Sequence, residues 1–310
     1  MASPVESPIT VVIATRDRGD RVVNAVASVR ANDYANWELI VVDQSRDDRT
    51  EAALRRFSSD RRIRYLRSPT RGVSHGRNLG IRQARSELVA ITDDDCEVSA
   101  DWLRELAAAF ARDERVGIVF GNALPGPHDP ALGFVPAYLR DAPFRARGMR
   151  DKHRVEGMSA CMGLRRTVWQ ALGGFDPLLG VGARFESAAE SDLTISALLA
   201  GYVVYETPAV VVVHHGFRTW KEGRALIRRY WYGTGAVLAK HLKRGHLSVA
   251  RLLVQLAWRW AFGRSRVAAS LGGHRYRGLR LASFALGFAA GCGTPVDKRV
   301  GHFVRGTSVR

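Results

Sequence analysis

Arg71 to Val98 reads RGVSHGRNLGIRQARSELVAITDDDCEV. Near its end an apolar run, Leu88–Ile91, leads through Thr92 into three consecutive acids, Asp93, Asp94 and Asp95. A short apolar run rich in β-formers and bounded by polar residues has the pattern of a buried strand. Leu79 to Arg85, just ahead of it, has the pattern of a helix. A helix feeding a buried strand is half of an α/β unit.

The same unit recurs toward the N-terminus. Ile9 to Thr15 (ITVVIAT) is a β-branched run that ends in the polar cluster Arg16, Asp17, Arg18. Val22, Val23, Val26 and Val29 place one apolar face on a helix over 21–30. Leu39 to Asp43 is a second strand ending in an acid, and Ile63 to Leu66 a third. Ala100 to Ala111 follows as a helix, with Ser99 as its expected N-cap. This alternation predicts a mixed, mainly parallel sheet flanked by helices. In such sheets ligands bind beyond the carboxyl ends of the strands. The exits at Thr15–Asp17, Asp43 and Asp93–Asp95 are all polar, so one shared cleft is expected there.

Farther on, Leu124 to Asp151 is rich in Pro, Gly and Arg and reads as an irregular loop. Ser191 to Ala200 is a helix stopped by Gly201. Tyr202 to Tyr205 and Val210 to Val213 read as strands. Past His215 the pattern changes to basic, Trp-containing helical stretches. Two regions are therefore expected, 1–215 and 216–310.

Composition divides at the same place. The net charge is +17. From Gly216 onward there are 19 basic and 2 acidic residues, whereas the preceding part is balanced at 28 and 28. Such asymmetry points to an anionic surface. Stretches 220–246 and 247–262 carry apolar faces (Leu252, Leu253, Leu256, Trp260) beside Arg251, Arg259, Arg264 and Arg266. That pattern suits an anionic membrane interface, or a helical cap with a solvated basic face. No recognised nucleic-acid-binding motif is present. The longest apolar stretch near the C-terminus, Leu281 to Cys292, is too short to span a bilayer. Met1 to Pro8 lacks the pattern of a secretory signal. Cys96, Cys161 and Cys292 form no disulfide or Cys-based metal pattern. The expected location is cytoplasmic, peripheral on the inner face of the cell membrane.

The acidic triplet carries the chemistry. Three adjacent carboxylates repel one another and are costly to bury unpaired. They are either a solvated turn or the ligands of a hard cation, for which Mg²⁺ or Mn²⁺ is suited.

The segment as a whole resembles the signature of family 2 glycosyltransferases, which have the GT-A (Rossmann-like) fold. Gly72, Arg77, Asn78, Gly80 and Ala84 stand at matching places, and Asp93 and Asp95 match the metal-binding DXD motif. Val12–Arg18 resembles the family's first strand and nucleotide loop, and Val41–Asp43 its second strand. The resemblance implies that Thr15, Arg16, Asp17, Asp43, Arg77, Asp93 and Asp94 hold a nucleotide-sugar, with a UDP-sugar the default. Asp93, Asp95 and His214 would hold Mn²⁺ or Mg²⁺. Gly157 to Gly180 is similar to the acceptor-side signature, which implies roles for Cys161, Gly174, Phe175 and Asp176. Cys161 stands where the family often has Asn. Glu190 falls on the catalytic base and Asp192 on the second acid of its motif.

The expected reaction is sugar transfer to a hydroxyl acceptor with inversion. The acceptor is expected to be a lipid-linked or cell-envelope glycan, with a small soluble metabolite as the alternative. A non-catalytic nucleotide or polyanion binder on the same fold is the other alternative.

Overall fold

The computed structural model describes residues 6–262 and 276–304. In chain order its strands are β1 (Ile9–Thr15), β2 (Trp37–Asp43), β3 (Ile63–Arg67), β4 (Leu88–Asp93), β5 (Cys96–Val98), β6 (Val116–Pro125), β7 (Gly133–Phe134), β8 (Phe144–Ala146), β9 (Met162–Arg165), β10 (Val203–His214) and β11 (Arg218–Thr219). The helices are α1 (Arg21–Arg30), α2 (Arg49–Leu54), α3 (Val73–Arg82), α4 (Trp102–Ala111), α5 (Arg166–Ala171), α6 (Ala189–Leu199), α7 (Trp220–Lys243), α8 (Ser248–Phe262) and α9 (Arg277–Gly293). Arg264 and Arg266, and the side chains of Leu256, Arg259 and Trp260, lie outside the described residues.

The main sheet runs β3-β2-β1-β4-β9-β6-β10-β5, with β8 added on β10. Its first four strands are parallel. β9 enters antiparallel between β4 and β6. β1 is buried along nearly its whole length, as a central strand covered on both faces must be. Alternate residues face two cores: Val11 and Ile13 join α1 and α4 on one side, and Val12 joins Ile81 of α3 and Leu193 of α6 on the other.

Local chemistry explains where expectation and structure part. The helix expected over Leu79–Arg85 is α3, which starts earlier, at Val73, and ends at Arg82. Its glycines lower helix propensity, but they let it lie against β1. A Cβ on Gly76 would come within 2.9 Å of Ala14 Cβ, and one on Gly80 would overlap Val12. Ser99 does not cap α4, because its hydroxyl donates to Asp101 Oδ1. The two strands expected over 202–213 are one, β10, with an irregular register between Glu206 and Val211 around Pro208. The loop 124–151 contains β7 and β8.

The change of composition at Gly216 does not separate two cores. Ala236, Val237 and Leu238 of α7 share one buried cluster with Val12, Ile91 and Leu193. A polar clamp fastens the same helix. Lys240 Nζ, 1% exposed, donates to Asp176 Oδ2 at 2.9 Å and Asp192 Oδ2 at 2.7 Å. His241 Nε2 lies 2.9 Å from Asp192 Oδ1, and the Phe303 N–H donates to Asp176 Oδ2. The outer helix α9 then packs on α7 through small residues. A Cβ on Gly287 would overlap the Tyr232 carbonyl, and one on Gly235 the Phe284 carbonyl. No described helix is long and apolar enough to cross a membrane.

Removing one partner from a buried ion cluster leaves uncompensated charge. Lys240→Met is therefore expected to cost roughly 3–5 kcal/mol in urea unfolding. A loss below about 1 kcal/mol, the range of an exposed pair, would remove the clamp from the account of the fold.

Candidate functional site

β4 delivers Asp93, the chain turns through Asp94 and Asp95, and β5 runs back antiparallel to the end of β10 with Cys96 opposite His214. The His215 N–H donates to the Asp95 carbonyl at 2.8 Å. This pairing of backbones brings the acidic turn to the histidine. His214 Nδ1 lies 2.7 Å from the Pro136 carbonyl, which assigns the ring proton there. Nε2 is the ring nitrogen left free of the backbone, and it faces Asp95 Oδ1 at 3.5 Å. A ring oriented by a backbone carbonyl is the usual support of a metal-ligating histidine. A Cβ at Gly216 would overlap His214 Nε2 and stand 3.2 Å from Asp95 Oδ2, so the absent side chain leaves this space open. A carboxylate oxygen and an imidazole nitrogen meeting beside such a gap fit a divalent cation.

Cys96 also brings a potential ligand atom within 4.8 Å of those of Asp95 and His214. Burial and the charges of Asp93 and Asp95 push its thiol far above the ordinary range.

Two guanidinium groups answer the acids. Arg77 donates to Asp93 Oδ1 at 2.7 Å, and its guanidinium lies 5.9 Å from the centre of the Phe175 ring. Arg18 donates to Asp95 Oδ2 at 3.1 Å and lies 3.8 Å from Asp94 Oδ1. The Thr15 hydroxyl donates to Asp94 Oδ2 at 2.6 Å. Burial pushes Asp94 up to about 6 against the pull of Arg18 and Thr15. Burial works the same way on Asp95, but His214 and Arg18 outweigh it and hold it at about 2. For His214, burial alone would lower the pKa, yet Asp95 keeps it raised.

These groups form one wall of a cleft of about 590 Å³. The same cleft is lined by Glu190 and Thr194 of α6, and by Leu226, Arg229, Tyr230 and Thr234 of α7. Glu190 lies in the first turn of α6, and among the described residues its carboxylate has no hydrogen-bond or ion-pair partner. Ala188 enters the helix at φ 66°, in the left-handed region that L residues rarely adopt. Asp17 and Glu186 share that conformation, and all three line the cleft. Such strain gathers where the surroundings fix a functional geometry.

The cleft brings together Thr15, Arg16, Asp17, Arg77, Asp93, Asp94, Asp95, Glu190 and His214. Asp93 is turned to Arg77, outside the Asp95–His214 group. Several expected residues do not line it. Asp43 is fully buried beneath it, accepting from the Tyr65 hydroxyl and the Ser45 N–H. Asp192 belongs to the buried clamp on Lys240 and does not line the cleft. Asp176 belongs to that clamp too. Cys161 is buried against the Val210 carbonyl at 3.7 Å. Gly174 supplies a left-handed turn (φ 84°), and Phe175 lies under Arg77. Phe175 is held by Asn78, which accepts from the Phe175 N–H and donates to its carbonyl. All four expected acceptor-side residues are buried. Sequence reasoning missed Arg18, although it stood in the polar cluster after β1, and missed the α7 residues, which no motif marks.

Gly216→Ala, which fills the gap beside His214, is expected to weaken Mn²⁺ binding by roughly 10–100-fold, as loss of a ligand's support does. Isothermal titration with Mn²⁺ checks this, and unchanged affinity would place the cation elsewhere.

Comparisons with known proteins agree with this geometry. The family model described as Glycosyl transferase family 2 matches residues 10–173. Uncharacterized protein y4gI of Sinorhizobium fredii is 30% identical over 247 residues, covering 71% of this chain and 26% of that protein. The GalNAc(5)-diNAcBac-PP-undecaprenol beta-1,3-glucosyltransferase of Campylobacter jejuni is 29% identical over 119 residues, 37% of this chain and 38% of that one. The chain thus spans well under half the length of these relatives. Among solved structures, a mannosyltransferase of Pyrobaculum calidifontis in complex with GDP-Man and Mn²⁺ superposes with a TM-score of 0.59 at 20% identity, over 93% of this chain and 88% of that one. S. aureus TarS 1-349 does so with 0.58 at 14% identity, over 91% and 81%. The fold is the GT-A fold, and the chain belongs to glycosyl transferase family 2.

Proposed function

We propose that the protein transfers a sugar from a nucleoside diphosphate donor to a hydroxyl acceptor by one displacement, with inversion at the anomeric carbon. The observation that carries this reading is one cleft lined both by Glu190, a carboxylate without a partner among the described residues, and by an acid–histidine–guanidinium group suited to a cation and a diphosphate. An acceptor hydroxyl is a poor nucleophile at neutral pH. Glu190 accepts its proton as the oxygen attacks the anomeric carbon. The bond from that carbon to the diphosphate oxygen breaks on the opposite face. Arg77 stabilises the charge that develops on the leaving group. A divalent cation, Mn²⁺ or Mg²⁺, held by Asp95 and His214 with Asp93, would act there as a Lewis acid. Thr15, Arg16 and Asp17 lie on the nucleoside side, with Asp43 supporting them from below. A UDP-sugar is the default donor.

A lipid-linked or cell-envelope glycan is the acceptor this reading favours. The Campylobacter jejuni relative, by its name, acts on an undecaprenol-linked glycan. In this reading 1–215 carries the chemistry, while 216–310 caps it and faces an anionic membrane from the cytoplasmic side. Supporting this, Val254 of α8 and Leu281 and Leu286 of α9 are exposed in a region of strong positive charge.

Glu190→Gln should abolish transfer while leaving nucleotide affinity unchanged, and NMR of the wild-type product should show the inverted anomer. Normal turnover in the variant, or retention in the product, sinks the mechanism. Cosedimentation with anionic vesicles should occur at low salt and weaken as salt rises. Failure to sediment at low salt would leave 216–310 as a cap alone.

A further inference from the structure

Both oxygens of Asp95 are engaged. Oδ1 faces His214 Nε2 at 3.5 Å, and Oδ2 accepts from Arg18 at 3.1 Å. Arg18 stands between Asp17 (φ 54°) and Gly19 (φ 47°), two left-handed residues in succession around it. The loop is anchored at its base, where the Asp17 N–H donates to Ser45 Oγ and the Arg46 N–H donates to Asp17 Oδ1. The bend directs the Arg18 side chain back over Asp94 and Asp95. With Arg77 on Asp93, each acid of the triplet has a guanidinium beside it.

We propose that Arg18 is the resident counter-ion of the cation site. It supplies the charge that a divalent ion would bring, and it moves to the donor's diphosphate when ion and donor are bound together. This rests on the donor-site reading above. The physical argument is one of charge. Coordination to a dication takes up the negative charge of Asp95, and a guanidinium left a few ångströms away is then repelled across a cleft that screens poorly. The group that can receive it is the diphosphate, whose oxygens suit the planar fork of arginine as the carboxylates do. An ion arriving alone must displace Arg18 with no anion to receive it. An ion arriving with a nucleoside diphosphate does not. Cation and nucleotide therefore favour each other's binding by the same factor, whichever comes first.

The test reads metal binding, not turnover. Mn²⁺ is titrated into the protein and free Mn²⁺ is followed by its EPR signal. The titration is run without nucleotide, then with whichever of UDP, GDP and dTDP raises wild-type affinity most. Arg18→Ala is expected to bind Mn²⁺ alone about tenfold more tightly than wild type, and to lose a similar factor from the nucleotide enhancement. Arg18→Lys, which keeps a cation, should bind Mn²⁺ alone much as wild type does. Melting in EDTA controls for folding: Arg18→Ala should melt below wild type and gain more from added Mn²⁺. Equal or weaker Mn²⁺ affinity in Arg18→Ala overturns the proposal, as does a wild type that no nucleotide enhances. If neither protein binds Mn²⁺ under any condition, the cation site itself falls, and the donor half of the proposed function with it.

Discussion

The ammonium of Lys240 lies in a place almost closed to water, between the carboxylates of Asp176 and Asp192. Ions so buried keep their charge only while paired, so the three segments that supply them are obliged to stay together. Asp192 belongs to α6, Lys240 to α7, and Asp176 to the turn that Asn78 of α3 secures. Phe303, near the end of the chain, completes the arrangement through its N–H. Residues two apart on a helix point in nearly opposite directions. Asp192 therefore fixes α6 from the core side while Glu190, two positions earlier, faces the cleft. The base of the proposed reaction thus sits two residues from an acid bonded to Lys240 and His241 in the core.

The acidic turn and its histidine depend on strand pairing. β10 ends at His214, and β5 pairs with that end, so the acidic turn between β4 and β5 closes over the histidine. Nothing in this arrangement requires a long-range contact between flexible side chains. Backbone hydrogen bonds set the distance, the Pro136 carbonyl sets the ring, and Gly216 leaves the space.

Much of this was legible in the sequence, for a physical reason. A parallel sheet covered on both faces needs continuous apolar strands, and polar residues at their exits stand out against them. Ile9–Thr15, Leu39–Asp43 and Leu88–Thr92 were visible on those grounds. α3 was harder, because its glycines look unlike a helix until their contacts with β1 are known. The motif positions Asp192, Asp176, Phe175 and Cys161 were recognisable as special, but not as buried. A pattern of residue types does not say which way a side chain faces, and their partners Lys240, His241 and Val210 lie 48 to 64 residues away or in unmarked segments. Arg18 was hidden for the opposite reason. An arginine in a polar loop is unremarkable until the loop's left-handed bend is seen.

The joint between α7 and α9 has a consequence of its own. Gly235 and Gly287 bring the two backbones so near that little hydrocarbon lies between them. Cohesion of this kind comes from dispersion between main-chain atoms, and it draws little on the expulsion of water. A pair of helices joined in this way has the same reason to stay together in an aqueous solvent as among acyl chains. That joint therefore depends less on the surrounding medium than a seam of large apolar side chains would.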